Sequence, residues 1–260
     1  MRAAPKCRTG DARLTMQRTY QLTADPLYYV MGAFFAVLTT AFPAIMGQPR
    51  FLILSQSVVL AVFIAIPLRR GSMRHAAIML TLWLGVQISL MAALAWLLPA
   101  RVEHAIPGGF EFRAALLEWL FAAGPLPRQI APHLPVHLWE LAAVSFGSLV
   151  SGGLIGVWFI IRTANLAGFV VGSLLPTLGG PLGLLISLPI WSLTRTAGYA
   201  GLTLLCAEPL LRGQWNVHRF WSLRRNTLLL SVALIILALL LERFVPTLWQ
   251  QLAATLEPVS

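Results

Sequence analysis

The chain has 260 residues, of which 58% are hydrophobic and only 11% charged, and its formal net charge is +10. With a mean hydropathy of +0.77 it has too little polar surface to cover a soluble globule of this size, which places it among polytopic membrane proteins. A charge of +10 would suggest nucleic acid in a soluble protein, but no basic stripe with interleaved aromatics is present, so no nucleic-acid partner is expected.

Residues 1–26 form a polar tail carrying Arg2, Lys6, Arg8, Arg13 and Arg18. No apolar core sits there for a cleavable signal, so the first span is expected to direct insertion. Segments apolar enough to cross ~30 Å of hydrocarbon follow at 27–46, 51–68, 76–98, 138–161 and 226–241. A further apolar region, 164–208, divides at Pro176-Thr177-Leu178-Gly179-Gly180-Pro181, because proline and paired glycines punctuate helices. That division predicts a short helix at 164–178 and a long one at 181–207.

The expected fold is therefore all-α, a transmembrane bundle of about seven spans. Its parts are three spans within 27–98, an outer loop at 99–137, glycine-rich spans at 138–247 and an outer tail at 248–260. With the tail inside, Arg69, Arg70, Arg74, Arg162, Arg212, Arg219, Arg224 and Arg225 join it on the cytoplasmic side. Arg50, Arg101, Arg113, Arg128 and Arg243 lie outside. The excess of positive charge predicts an inner amino terminus and an outer carboxyl terminus. Every basic residue but Lys6 is Arg, a bias that fits a GC-rich genome and carries no functional weight. Cys7 and Cys206 are too few for a disulfide framework.

In the outer loop, "GFEFRAALLEWLFAAG" sets Phe110, Leu116, Leu117, Leu120 and Phe121 against Glu111, Arg113 and Glu118. This suits a helix in the headgroup layer or one capping the bundle. Trp96, Trp139, Trp215, Trp221 and Trp249 fall near span ends, where indole rings anchor depth.

The stretch from Ser145 to Leu185 is almost wholly apolar yet rich in glycine. Ser148, Gly152 and Gly156 recur every four residues, as do Gly147 and Ser151, and Gly168 and Gly172 repeat the spacing. Such strips let helix backbones touch where lipid supplies no hydrophobic drive for association. The break at Pro176, Gly179, Gly180 and Pro181 offers another reading, backbone groups facing a cavity as in discontinuous transporter helices.

Arg195, midway along 181–207, needs a counter-charge at that depth. Glu140 and Glu208 are the candidates, with Tyr199, Thr194 and Thr196 as further oxygen donors. His133, His137 and Glu140 have the i, i+4, i+7 spacing of a zinc-binding face, but Pro135 disfavours continuous helix across them. Ser55, Gln56, Ser57 and Gln87 read as interhelical hydrogen-bond partners. The sequence contains no HExxH, GxSxG, P-loop or CxxCH, and its only aspartates are Asp11 and Asp25, so neither a catalytic site nor a cofactor is expected.

Residues 138–247 resemble the stage II sporulation protein M family of integral membrane proteins. The likeness lies in "SGGLIGVWFIIRTANLAGFVVG", in "GGPLGLLISLPIWSLTRTAGYAGLTLL" and in "LALLLERFVP". It implies that Asn165 and Gly168 are turn positions and that Glu242, Phe244 and Pro246 close the last span. Family members carry a His-Gly and a following Glu before the penultimate helix; "LGGPLGLL" has neither. The resemblance implies a non-catalytic subunit or scaffold of an envelope-associated assembly in a bacterial cytoplasmic (inner) membrane, with lipids and membrane proteins as partners. The second expectation is a permease-like protein with a site near Arg195 and the 176–181 break.

Overall fold

The computed structural model describes residues 25–122, 124–127, 133–178, 180–213 and 217–254. The basic tail to residue 24, Arg128, Gly179, Trp215 and the last residues of the outer tail lie outside the described residues, as do the side chains of Thr177, Pro181, Arg219 and Trp221. The described secondary structure is wholly helical. Six helices contain a stretch long and apolar enough to cross a membrane: α1 (Pro26–Ile45), α2 (Pro49–Arg69), α3 (Met73–Leu97), α6 (Leu134–Ser151), α7 (Leu154–Leu178) and α10 (Val217–Phe244). A seventh, α9 (Ile190–Arg212), has 23 residues but also carries Arg195, Glu208 and Arg212, which lower its hydropathy. Four shorter helices complete the chain: α4 (Pro99–Ala105), α5 (Gly109–Phe121), α8 (Gly180–Ser187) and α11 (Pro246–Ala254).

Proline starts many of these helices, since its missing N–H costs nothing in a first turn. It does so in α1, where the Asp25 carboxylate also accepts from the Leu27 N–H at 2.9 Å, and in α2, α4 and α6. Pro135 thus opens α6 rather than breaking it.

The expected span 138–161 is interrupted. α6 stops at Ser151, and Gly152 and Gly153 turn the chain with φ of 63° and 98°. Side chains avoid that left-handed region, so the pair makes a two-residue reversal that "RTAN", the expected boundary, could not make. Gly152 is consequently a cap, not a member of a helical strip. α7 gains ten residues and runs through Arg162 and Asn165, both expected in a turn, to Leu178. The expected helix end at Leu178 stays, and a further break at Leu188-Pro189 divides the expected long helix 181–207. Pro176 lies inside the last turn of α7, α8 occupies only eight residues, and α9 begins after Leu188-Pro189.

α7 is the central helix, packed on α2, α3, α6 and α9. Its span is 56% buried, against 17% for that of α10. Its glycines explain the proximity. A Cβ on Gly172 would strike the Ala92 carbonyl of α3, one on Gly168 would lie 2.7 Å from Met91 Cβ, and one on Gly156 would strike Ser148 of α6 and Thr203 of α9. These small residues therefore serve contacts within the chain.

At one end of the bundle α5 caps it, the second of the two expected placements: Leu116, Trp119 and Leu120 are buried. The tail is not loose there. α11 inserts Trp249, whose Nε1 donates to the Ile186 carbonyl at 3.2 Å and whose ring meets Trp191, while Gln250 donates to the Trp119 carbonyl at 2.8 Å. Trp249 is thus a buried packing residue, unlike the exposed Trp96 and Trp139.

Overpacking at a backbone contact typically costs about 1–3 kcal/mol. Gly172→Ala is therefore expected to lower stability by about that amount in thermal unfolding in detergent. Gly85→Ala, whose Cβ would meet nothing within 4 Å, should leave it unchanged or slightly higher.

Candidate functional site

Polar side chains gather on two sides of α7. On the first, Asn165 is the hub: its Nδ2 donates to Gln56 Oε1 at 2.8 Å, and its Oδ1 accepts from Gln87 Nε2 at 2.7 Å and from Gln56 Nε2 at 3.3 Å. Gln56 also donates to Thr40 Oγ1 at 2.8 Å. Thr40, Gln56 and Gln87 are fully buried, so α1, α2, α3 and α7 share one buried network, in which Gln87 Oε1 alone has no hydrogen-bond partner among the described residues. Of the hydrogen-bond partners expected from sequence, Gln56 and Gln87 bridge helices. Ser55 and Ser57 instead donate to their own helix, at the Phe51 and Ile53 carbonyls.

On the second side lies a cavity of ≈100 Å³ among α5, α6, α7 and α9. His137 and Glu140 reach it from α6, Arg162 and Thr163 from α7, and Arg195, Thr196 and Tyr199 from α9. One turn or less separates the contributors on each helix, which is why each element presents them together. A space of this size admits several waters, and its lining offers them partners.

The charges within this site are unequally matched. His137 Nδ1 and Glu140 Oε2 are 3.2 Å apart, an i, i+3 pair that the helix beginning at Leu134 permits. Arg195 Nη1 stands 3.6 Å from Glu242 Oε2 of α10, an ion pair too long for a hydrogen bond. That nitrogen is buried and has no hydrogen-bond partner among the described residues. Arg162 is exposed, about 12 Å along α7 from its start, and lies 5.9 Å over the Trp158 ring. Among the described residues it makes no ion pair.

The expected site residues thus separate. Arg195, Glu140 and Tyr199 line one cavity. The counter-charge nearest Arg195 is Glu242, not Glu140 or Glu208. Glu208 is about 20 Å away along α9. It accepts from Arg212 Nη1 at 3.0 Å and from both Nε and Nη2 of Arg224 at 2.7 Å, and Arg224 also donates to the Gly71 carbonyl. This buried carboxylate ties α9, α10 and the α2–α3 turn together at the opposite end of the molecule from α5. His133 is exposed at the cap of α6, whereas His137 is buried against Glu140. Among the described residues no three His, Cys, Asp or Glu side chains gather to hold a metal.

Sequence reasoning missed Arg162 as a site residue and Glu242 as an ion-pair partner. The signal for Arg162 was the doublet Gly152-Gly153: placing the reversal there puts the arginine inside a span and one turn beyond Trp158.

No protein-family model, no curated protein and no solved structure matches the chain.

Breaking a buried pair by removing one partner costs about 3–5 kcal/mol. Glu242→Gln should therefore destabilise the protein by about that amount in thermal unfolding in detergent. Arg195→Met combined with Glu242→Met should be less damaging than either single change. Simple addition of the two costs would show that the residues act independently.

Proposed function

We propose that this is a multi-pass protein of a bacterial cytoplasmic membrane that binds an anion in the α6–α7–α9 cavity, as the substrate site of a permease-like unit. In this reading α9 is a seventh span, with the amino end inside and the carboxyl end outside. Arg69, Arg70, Arg74, Arg212, Arg224 and Arg225 cluster at the ends of α2, α3, α9 and α10, which supports that orientation. The observation that carries the reading is the buried Arg195 Nη1, which has no hydrogen-bond acceptor among the described residues and shares its cavity with Arg162, which makes no ion pair among them. Cations held at membrane depth face a polar partner or water, and a bound anion would complete both.

A second reading, a non-catalytic subunit of an envelope-associated assembly, is supported by the resemblance of residues 138–247 and by the thin cover over α10. Leu229, Leu230, Ile236, Leu237 and Leu240 of that helix are exposed, a surface lipid would wet and a partner helix could equally cover.

The test of the first reading is the water access of Thr196. In a background lacking Cys7 and Cys206, Thr196→Cys should react with a water-soluble maleimide, and inorganic phosphate should slow the reaction. Arg195→Gln should abolish that protection. A cysteine that never reacts, or one that phosphate leaves unprotected, would sink the anion site. For the second reading, Leu230→Trp and Leu237→Trp should reduce co-isolation of membrane partners while phosphate protection persists.

A further inference from the structure

The charged cavity has an apolar neighbour. A groove of ≈720 Å³ runs between α6 and α7 beside α2, and Trp139, Ala142, Phe146 and Val150 form its α6 wall. Those four residues extend along about 16 Å of helix. Trp158 stands on the facing wall, and Phe159 lines both the groove and the cavity. An exposed apolar face is ordinary on a membrane helix; this one ends at charge. Trp139 precedes Glu140 in the chain, and the Arg162 guanidinium covers the ring of Trp158.

The two spaces together have the shape of an amphiphile. A free inorganic anion would use the cavity and leave the groove without a part in binding. A molecule whose apolar portion lies along Phe146 and Val150 would bring its polar end past Phe159 to Arg162 and Arg195. Two guanidinium groups there can take an anion: Glu140 is held by His137, Arg162 has no ion pair among the described residues, and Arg195, 3.6 Å from Glu242, has no hydrogen bond at Nη1.

We propose that the ligand is an anionic phospholipid, its phosphate held by Arg162 and Arg195 and one acyl chain lying in the α6–α7 groove. This rests on the anion site proposed above and adds the groove to it. Within a bilayer the groove adds no hydrophobic gain, because lipid already surrounds the chain; it selects by packing, and the guanidinium groups select by charge. With its chain toward the Gly152-Gly153 turn and its headgroup toward α5, the lipid would have the polarity of a molecule from the leaflet on the α5 side.

The test is lipid retention by native mass spectrometry after extraction from vesicles of equal phosphatidylglycerol and phosphatidylcholine. The full chain should retain one phosphatidylglycerol in preference to phosphatidylcholine. Arg162→Gln should lower that retention about tenfold and also remove phosphate protection of Thr196→Cys, as expected for losing a charge-assisted bond. Ala142 is exposed, so Ala142→Phe fills the groove without entering the core. It should lower lipid retention about tenfold and leave phosphate protection intact. Ala142→Leu decides the matter if the phenylalanine variant aggregates. Undiminished retention in the groove variants overturns the lipid proposal and leaves the anion site standing. Equal retention of the two lipids, or full retention in Arg162→Gln, also overturns it, the latter by showing that Arg162 only reaches toward the membrane surface. Loss of phosphate protection in the parent overturns both.

Discussion

At hydrocarbon depth a polar group cannot turn to water, and every such group in this chain has to be dealt with inside the bundle. Around α7 the structure gathers two groups of such side chains. Asn165 faces one way from α7 and gathers Gln56 and Gln87; Arg162, one turn earlier, lies beside the cavity shared with α6 and α9. On the Asn165 side the polar layer is thin. Ala36, Leu60, Trp83 and Ile161 lie one turn to one side of it in one apolar cluster, while Ala44, Leu52, Met91 and Phe169 lie one turn to the other side in a second. The amides thus form a plate between two greasy halves and fix the vertical register of four helices, since a shift of one turn would put an amide against a hydrocarbon side chain.

The two sides of α7 differ in how completely they close. Asn165, Gln56, Thr40 and Gln87 are bonded to one another and are themselves buried. The cavity side is open enough for water and leaves Arg195 Nη1 without a hydrogen bond and Arg162 without an ion pair among the described residues. A buried atom goes unpartnered among the described residues on each side, Gln87 Oε1 on the first and Arg195 Nη1 on the second, but only the second side carries charge and has a cavity to hold a ligand. That asymmetry is the physical reason for placing function on the cavity side. Glu208 shows what completion looks like for a carboxylate: with Arg212 and Arg224 both donating to it, nothing is left over.

Much of the helical architecture could be read from composition and periodicity, because a span must be long and apolar and the first three spans are both. The amidic plate was half visible: Gln56 and Gln87 stand out in apolar helices, but Asn165 was hidden by a misplaced turn. Glycine caused that error. The same residue type serves as a reversal at 152–153 and as a close contact at Gly156, Gly168 and Gly172, and spacing alone does not separate a left-handed backbone from a helical one. A clue lay in lengths. The expected spans 138–161 and 164–178 were unequal, the second too short for the bilayer; moving the boundary ten residues earlier gives helices of 18 and 25. Glu242 was legible only as a span-ending acid, since its partner sits 47 positions earlier and no local pattern joins helices that far apart.

The hub amide also sets an order of events during synthesis. Gln56 and Gln87 precede Asn165 by 109 and 78 residues, so α2 and α3 emerge from the ribosome well before the residue that satisfies them exists. Of their partners in the finished structure, Thr40 alone is then in place: it accepts from Gln56, whereas the bonds Gln87 donates both go to α7. The two-glycine reversal joins α6 directly to α7, so chain order presents Asn165 on the second arm of a helical hairpin.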